Sequence, residues 1–318
     1  MTKKTISICI PAFNEAQNVP IAINAVEEVF KKNLPGYLLE LIITDNASTD
    51  ETWKKIQSLA ADRPNLKAYR FSRNFGYQNS VFTGLSLATG AAVIEMDADL
   101  EDPPHVIPQF VEKWESGFEV VYGVRSKRHG SLMKRFLFSI FYKLLNLLSE
   151  YEIPKNAGDF RLLDRKVVDA LKHLPEHNLY LRGLVVYLGF KQTPIVYARQ
   201  PRHSGKSKFR FFHYIILAID AITAFTKFPL RLIGVMGVLM FLASFALSMH
   251  YLFGFFKDGT PIAGFTTLVI LILALHSITF IFLGVIGEYL SRIFDDSKKR
   301  PRVIISESIH DPDYPKSL

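Results

Sequence analysis

The sequence predicts an α/β fold in which helices cover both faces of a mostly parallel sheet, followed by a membrane-embedded region. Three observations support this prediction. Short apolar runs alternate with helical patterns through residues 1–125, polar clusters follow those runs, and two long uncharged stretches occupy the last third. Regular strand–helix alternation is typical of a doubly wound sheet.

The predicted strands are short, apolar, β-branched runs that end at proline, glycine or polar residues. In the first 125 residues they are Thr5–Ile10, Leu39–Thr44, Lys67–Phe71, Ala91–Met96 and Phe118–Gly123. Apolar residues at helical spacing predict helices between them. These helices follow Pro11–Pro20, cover Thr52–Ala61 and Gln78–Leu87, and begin near Pro103 and Pro104.

Polar clusters stand where four of these strands end, at Phe13–Glu15, Asp45–Asn46, Arg73–Asn74 and Asp97–Glu101. Ligands of such sheets bind outside the carboxyl ends of the strands, so the clusters predict one binding site. The first strand is not followed by G-x-G-x-x-G, and G-x-x-x-x-G-K-[ST] is absent from the sequence. A dinucleotide fingerprint and a P-loop are therefore not indicated.

The acidic stretch AAVIEMDADLEDPP, residues 91–104, brings Asp97, Asp99, Glu101 and Asp102 to the end of one strand. Carboxylates this close repel one another unless a cation lies between them. Mg²⁺ takes oxygen ligands and is commonly completed by substrate phosphates. The stretch is thus a candidate metal site, with a solvated acidic turn as the alternative.

Composition narrows the class of protein. The chain has 318 residues, a net charge of +8 and a single cysteine, Cys9, so one or two domains without disulfides are expected. Positive charge suits nucleic acid, anionic lipid or phosphorylated substrates. Nucleic-acid binding is disfavoured because the charge accompanies the flanks of the apolar stretches. The N-terminus enters a strand directly and resembles no cleaved signal peptide.

Two basic, aromatic-rich segments, residues 131–148 and 209–227, have broad apolar faces. Helices of this kind lie at membrane interfaces, and a buried core helix is the alternative for each. Their apolar surfaces also favour self-association, so a homo-oligomer, such as a tetramer, is expected.

Leu232–Phe256 and Ile262–Gly287 contain no Asp, Glu, Lys or Arg. Each exceeds the roughly 20 apolar residues that span a bilayer, which predicts a transmembrane hairpin. Lysine and arginine flank the pair on both sides, so the α/β domain and both termini are expected in the cytoplasm, at the inner cell membrane. The predicted divisions are 1–208, 209–228, 229–290 and a tail, 291–318, loosely ordered after Ser306.

Seven motifs occur in one order: PAFNE, TDNASTD, SRNFGYQNS, MDADLEDPP, GVRSKR, NAGDFRLLDR and RHSGKSKF, within residues 11–209. With them the chain resembles the GT-A-fold glycosyltransferases of family 2 that act on polyisoprenyl phosphates. That group includes bactoprenol glucosyltransferases and dolichyl-phosphate mannose synthases. The resemblance implies a Rossmann-like GT-A domain over residues 1–208.

The resemblance implies a donor site for a nucleotide sugar, bound with Mg²⁺ or Mn²⁺. Asp97, Asp99 and Glu101 would hold the metal. The donor would contact Pro11, Phe13, Glu15, Asp45, Asp97, Ala98 and Asp99. For Glu15 and Asp45 the alternative is a role at a helix N-terminus.

The resemblance also implies an acceptor site and catalytic carboxylates. Asp159 would orient the acceptor or the sugar, together with Asp97, and a local pair with Arg161 is the alternative for Asp159. The acceptor phosphate would contact Arg125, Arg128, Arg135, Ser139, His203, Ser207 and Lys208. Solvated surface charge is the alternative for the arginines.

The function implied is inverting transfer of one sugar, glucose from UDP-glucose, to a polyprenyl phosphate such as undecaprenyl phosphate. A phosphate acceptor is already anionic at pH 7 and needs no strong base. The alternatives are another donor, GDP-mannose or a UDP-aminosugar, or a non-catalytic scaffold that binds nucleotide sugars. A processive synthase is disfavoured because the two tryptophans, Trp53 and Trp114, lie outside any Q-x-x-R-W motif.

Overall fold

The structure, a computed structural model, describes residues 3–126, 157–176, 179–200, 228–258, 264–298 and 300–317. The predicted interfacial segments, 131–148 and 209–227, lie outside these ranges. So do six predicted acceptor-site residues: Arg128, Arg135, Ser139, His203, Ser207 and Lys208.

The described strands form one eight-stranded sheet in the order β7-β5-β6-β4-β1-β2-β3-β8. Their bounds are β1 Thr5–Ala12, β2 Leu38–Asp45, β3 Leu66–Phe71, β4 Ala92–Glu95, β5 Val120–Arg125, β6 Ala157–Asp164, β7 Gln192–Tyr197 and β8 Ile305–Ile309. The first five confirm the strands predicted from the sequence.

Strand directions make the sheet mixed. β1 pairs in parallel with β2 and β4, β2 with β3, and β5 with β7. β6 runs antiparallel to β4 and β5, and β8 runs antiparallel to β3. The strands that alternate with helices in residues 1–125 therefore run in the same direction, as predicted. β6 and β8 run in the opposite direction.

Helices cover both faces of the sheet, as predicted. Alternate residues of a strand point to opposite faces, and β1 buries Ile6, Ile8 and Ile10 on one side and Cys9 on the other. The first side packs against α1 Asn18–Asn33, α2 Thr52–Ala60 and α4 Ile107–Glu115. The second packs against α3 Tyr77–Leu87, α5 Arg165–Lys172 and α6 Leu181–Tyr187.

Two long helices follow, α7 Phe228–Asp258 and α8 Phe265–Ser297. Large apolar side chains on both are exposed, for example Phe253 at 74% and Phe280 at 68%. Within the described residues, one segment, Leu275–Ser297, is long and apolar enough to cross a membrane. The apolar segment of α7, Leu232–Ala243, is shorter, so a hairpin of two spans is not confirmed.

The C-terminal segment returns to the sheet. β8 lies beside β3 with Glu307 opposite Arg70, and Val303 and Ile305 are buried. The expectation of a loosely ordered tail after Ser306 is therefore wrong. The physical reason is that the backbone N–H and C=O groups at the open edge of β3 need a partner strand, and β8 provides it. The polar sequence of the tail gives no indication of this pairing.

Candidate active site

The loops that follow β1 and β2 are joined by hydrogen bonds at the carboxyl edge of the sheet. Asn46 N donates to Ala12 O at 2.9 Å, and Asn14 N donates to Ser48 Oγ at 2.9 Å. Asn14 adopts a left-handed backbone with φ 56°, a conformation that asparagine tolerates better than most residues. The loop holding Phe13 and Glu15 is therefore fixed against the loop that follows β2.

Glu15 lies at the start of α1. Its backbone N–H donates to Thr52 Oγ1 at 2.9 Å, and its carboxylate accepts from Asn18 Nδ2 at 2.5 Å. Pro11 is buried near the end of β1, and Phe13 is half-buried in the loop that follows. The structure thus brings three of the predicted donor-site residues together, with Glu15 also bonded to the first residue of a helix.

Asp45, at the end of β2, is fully buried. Its Oδ1 accepts from Ser48 N at 3.2 Å, and its Oδ2 lies 3.5 Å from Arg70 Nε. Burial raises the pKa of the Asp45 carboxyl, although the Ser48 hydrogen bonds and the Arg70 charge act in the opposite direction. Oδ2 has no hydrogen-bond partner among the described residues. An acceptor in this state suits an N–H or O–H donor on a ligand.

Beyond the end of β4, Asp97 accepts a 2.7 Å hydrogen bond from Tyr77 Oη at the first residue of α3. Burial raises the pKa of Asp97 to about 7, helped by the charges of Asp159 and Asp99. Two residues earlier, buried Glu95 lies 3.5 Å from Arg161 Nε, and burial raises its pKa well above the ordinary value. Negative charge is therefore in excess at this edge.

Two of the predicted metal ligands, Asp99 and Glu101, contact other groups of the protein. Asp99 Oδ1 accepts from Glu101 N at 3.1 Å, whereas the Glu101 carboxylate forms an ion pair with Arg199, just after β7. In the part of the chain that the structure describes, no three His, Cys, Asp or Glu side chains are grouped so that they could hold a metal ion. Glu101 is paired with Arg199 in this arrangement, and the assignment of the three carboxylates as metal ligands stays a prediction.

Asp97 and Asp99 nevertheless fit a divalent cation. They offer hard oxygen donors, and the pKa of Asp97 is raised first by burial and then by neighbouring carboxylates, which oppose its ionised form. A cation between them would remove that repulsion. Mg²⁺ is bound through one or two carboxylates and completed by substrate phosphates, so two protein ligands suffice.

Asp159, in β6, is held by two arginines. Arg182 Nε and Nη2 donate to Oδ1 and Oδ2 at 2.7 Å each, and Arg161 Nη2 donates to Oδ1 at 3.3 Å. Burial alone would raise the pKa of Asp159, but the charges of Arg182, Arg161 and Arg125 lower it to about 2. The pair with Arg161 that the sequence suggests is present, and Arg182 adds the stronger contact.

Arg125 lies at the end of β5, beside β6. Its Nη2 is 3.2 Å from Asp102 Oδ2, and Tyr197 Oη donates to Asp102 Oδ1. Its Nε is buried without a hydrogen-bond partner among the described residues. A Cβ on Gly158 would lie 3.6 Å from that Nε, at van der Waals contact, so Gly158, the neighbour of Asp159, lies directly beside the guanidinium. Arg125 thus belongs to the same edge as Asp159.

Comparison with known proteins identifies the family. The profile described as "Glycosyl transferase family 2" matches residues 7–172, a little over half of the chain. The chain belongs to glycosyl transferase family 2. The resemblance drawn from the seven motifs is therefore confirmed at the level of the family.

Relatives match this family 2 chain over almost its whole length. The bactoprenol glucosyl transferase of Shigella phage SfV is 38% identical over 301 residues, 94% of this chain and 97% of that protein. The uncharacterized glycosyltransferase YkcC of Bacillus subtilis is 38% identical over 304 residues, 95% and 93% of the two chains. A crystal structure of glucosyl-3-phosphoglycerate synthase from Mycobacterium tuberculosis, with Mn²⁺, UDP-glucose and phosphoglyceric acid, superposes with a TM-score of 0.48 at 16% identity, covering 69% and 78%.

Several residues of this family 2 site escape sequence reasoning. Arg182 stands in the apolar run YLRGLVV and Glu95 in the apolar run AVIEM, so a lone charge in each run was the available signal. Tyr77 and Arg199 carry no such signal, because their partners, Asp97 and Glu101, lie far away in the sequence.

Proposed function

We propose that this family 2 glycosyltransferase transfers one glucose from UDP-glucose to a polyprenyl phosphate, undecaprenyl phosphate, with inversion at the anomeric carbon. The observation that carries the proposal is the proximity of Asp97 and Asp159. The charge of Asp159 helps to raise the pKa of Asp97, so the two carboxylates lie near each other, and three arginines, Arg182, Arg161 and Arg125, lower the pKa of Asp159. Asp97 is thus suited to bind a metal ion, and Asp159 is suited to orient a substrate. The naming of relatives as bactoprenol glucosyl transferases supports the acceptor.

The donor's nucleoside is proposed to lie against the loops after β1 and β2. Pro11 and Phe13 supply apolar surface, and Glu15 and Asp45 supply acceptors for uracil N–H or ribose hydroxyl groups. Asp45 Oδ2, which is buried and has no hydrogen-bond partner in the described part of the chain, supports this assignment, because such an acceptor costs free energy until a donor reaches it.

The donor's diphosphate is proposed to bind beside Asp97, Ala98 and Asp99, with Mg²⁺ or Mn²⁺ held by the two aspartates. When bound, the cation would neutralise the charge that develops on the leaving diphosphate. Glu101 is left out of this ligand set because its carboxylate pairs with Arg199.

Asp159 is proposed to orient the acceptor or the sugar hydroxyls and not to act as a general base. A base works best when its pKa is near the working pH, and the pKa of Asp159 is lowered to about 2. An anionic phosphate needs no base, so nothing in the reaction requires Asp159 to take a proton. Arg125 is proposed to contact the acceptor phosphate, together with Arg128, Arg135, Ser139, His203, Ser207 and Lys208.

The acceptor is proposed to reach this site from the cytoplasmic face of the inner membrane. A two-helix hairpin over residues 232–256 and 262–287 would anchor the enzyme, and the apolar segment Leu275–Ser297 supports one of its two spans. Residues 131–148 and 209–227 are proposed to lie at the interface and to favour a homo-oligomer.

A donor-panel assay tests the proposal. Purified enzyme in detergent is given undecaprenyl phosphate with UDP-glucose, GDP-mannose or a UDP-aminosugar, and nucleotide release and lipid-linked sugar are measured with Mg²⁺, Mn²⁺ or EDTA. We expect transfer from UDP-glucose that EDTA abolishes, giving a β-linked product by NMR. Absence of transfer from every donor would contradict the proposal and favour a nucleotide-sugar-binding scaffold.

A further inference from the structure

Strand β8 brings a carboxylate from the end of the chain to the nucleotide side of the sheet. Glu307 stands opposite Arg70, and its Oε1 accepts from Arg70 Nη1 at 3.1 Å. Its Oε2 accepts from Trp53 Nε1, in α2, at 3.0 Å. Both carboxylate oxygens of Glu307 are therefore engaged, which gives the side chain a defined position against Arg70.

Strand β8 is itself firmly attached. Ser72 N donates to Ile304 O at 2.9 Å, Ser306 Oγ donates to Arg70 O at 3.0 Å, and Tyr69 Oη donates to Asp311 Oδ2 at 2.5 Å. Before the strand, Arg302 Nη2 donates to two backbone carbonyl oxygens, those of Leu174 and Glu176, at 2.9 Å. The segment after α8 is thus tied to the α/β domain on both sides of Ile304, to the segment after α5 and to β3.

Arg70 stands between two carboxylates. Its Nη1 bonds to Glu307, while its Nε remains 3.5 Å from Asp45 Oδ2. That distance permits attraction between the charges but is too long for a good hydrogen bond. Asp45 is fully buried, and its Oδ2 has no hydrogen-bond partner within the described ranges.

We infer that Glu307 is a positioning residue for nucleotide binding, because it holds Arg70 close enough to neutralise Asp45 and too far away to occupy Asp45 Oδ2. The inference rests on the proposed function, in which that oxygen accepts a hydrogen bond from the nucleoside. When Glu307 loses its charge, Asp45 becomes the stronger partner of Arg70. The guanidinium then moves onto Oδ2 and competes with the nucleotide.

The test is a titration series on the full-length protein in detergent with Mn²⁺. UDP and GDP are first titrated into the wild type, and the tighter-binding nucleotide is used for the variants. We expect Glu307→Gln, and Glu307→Asp with its shorter reach, to weaken binding about five- to tenfold while kcat at saturating donor changes less than about twofold. Ser308→Ala is the matched control on β8, because its hydroxyl donates to Asp311 O inside the tail, and should bind as the wild type does.

A double-mutant cycle with Asp45→Asn separates positioning from a merely structural role. If Glu307 acts through Asp45, Glu307→Gln adds less than about twofold to the loss that Asp45→Asn causes alone. Additive losses, or wild-type affinity in folded Glu307 variants, overturn the inference. Asp45→Asn with wild-type affinity, or a wild type that binds neither nucleotide, overturns the proposed function instead. Thermal melting checks folding, and Glu307→Asp answers the question if Glu307→Gln does not fold.

Discussion

Arg182 binds Asp159 in a bidentate manner, donating from Nε and Nη2 to the two carboxylate oxygens at 2.7 Å each. The two side chains come from different elements, β6 and the first turn of α6. Paired hydrogen bonds of this kind define the plane of the carboxylate as well as its position. Asp159 is therefore held in one orientation and stays ionised, because these contacts and Arg161 lower its pKa to about 2.

Asp159→Asn should lower turnover far more than nucleotide affinity. The amide keeps the size of the side chain, but it loses the negative charge and cannot accept both hydrogen bonds from Arg182. We expect kcat to fall about 100-fold, because a substrate held in the wrong geometry reacts slowly, while the dissociation constant for UDP changes less than about threefold. Steady-state kinetics and UDP titration measure the two quantities. Equal changes in both, or no change in either, would show that Asp159 is not catalytic.

Arg182→Lys should also reduce kcat, by about tenfold or more, because lysine keeps the charge but cannot form the bidentate contact. Asp159 would then keep a neighbouring cation and its contact with Arg161, but the plane of its carboxylate would no longer be fixed. Arg63→Lys, at the distant contact with Glu27, is the matched control. A variant with the kcat of the wild type would remove Arg182 from the mechanism.

Binding of Mn²⁺ with UDP should strengthen as the pH rises from about 6 to about 8. The metal requires ionised Asp97, whose pKa in the free protein is raised to about 7. Because the folded protein holds the proton of Asp97 more tightly than the unfolded chain does, this carboxyl contributes to stability fully below about pH 4, near the ordinary pKa of an aspartate. That contribution is lost as the pH rises through about 7, the pKa in the folded protein. A bound metal ion favours the ionised form of Asp97 over the protonated form. The increase in melting temperature caused by Mn²⁺ and UDP should therefore grow between about pH 6 and about pH 8.

Asp97→Asn is the control for this pH dependence. Titration of Mn²⁺ and UDP into the variant should give weak binding that varies little with pH, because no carboxyl remains there to ionise. An undiminished pH dependence in the variant would mean that another group controls binding.

Gly123→Ala should destabilise the domain by about 1–3 kcal/mol. A Cβ at this position would lie 2.5 Å from Tyr197 Cε1 and 3.2 Å from Phe160 O. Tyr197 would have to move away from Asp102, the partner of Arg125. Chemical denaturation measures the free energy of unfolding. Gly36→Ala, whose Cβ would meet no atom within 4 Å, should change it by less than about 0.5 kcal/mol.

Asp258→Cys should react with a membrane-impermeant maleimide added to intact cells from outside. The proposed hairpin puts the turn after α7 on the outer side of the membrane, and the natural cysteine, Cys9, is buried and should remain unlabelled. Glu307→Cys on β8 is expected to react only after the cells are opened. Labelling of the β8 cysteine in intact cells, or of neither cysteine, would contradict the two-span topology.

The first five strands could be predicted because each is a short apolar run with a clear end. A strand buried on both faces is apolar throughout, so it can be identified without knowing which strands pair with it. β6 and β8 could not be predicted in this way. β6 carries Asp159 and Arg161 among its apolar residues, and β8 reads Ile-Ser-Glu-Ser-Ile. Strands of this composition are stabilised by pairing with distant partners, so their own residues are a poor guide.

The sequence by itself determined the α/β class, the family, the polar clusters at the strand ends and the candidate carboxylates Asp45, Asp97 and Asp159. These follow from periodicity and short motifs, which are local properties of a chain. Only the tertiary structure decided which cation meets which carboxylate: Arg182 at Asp159, Arg199 at Glu101 and Arg70 between Asp45 and Glu307. Electrostatic energy depends on the distance between charges in space, and partners as far apart as 237 residues acquire that distance only when the sheet is complete.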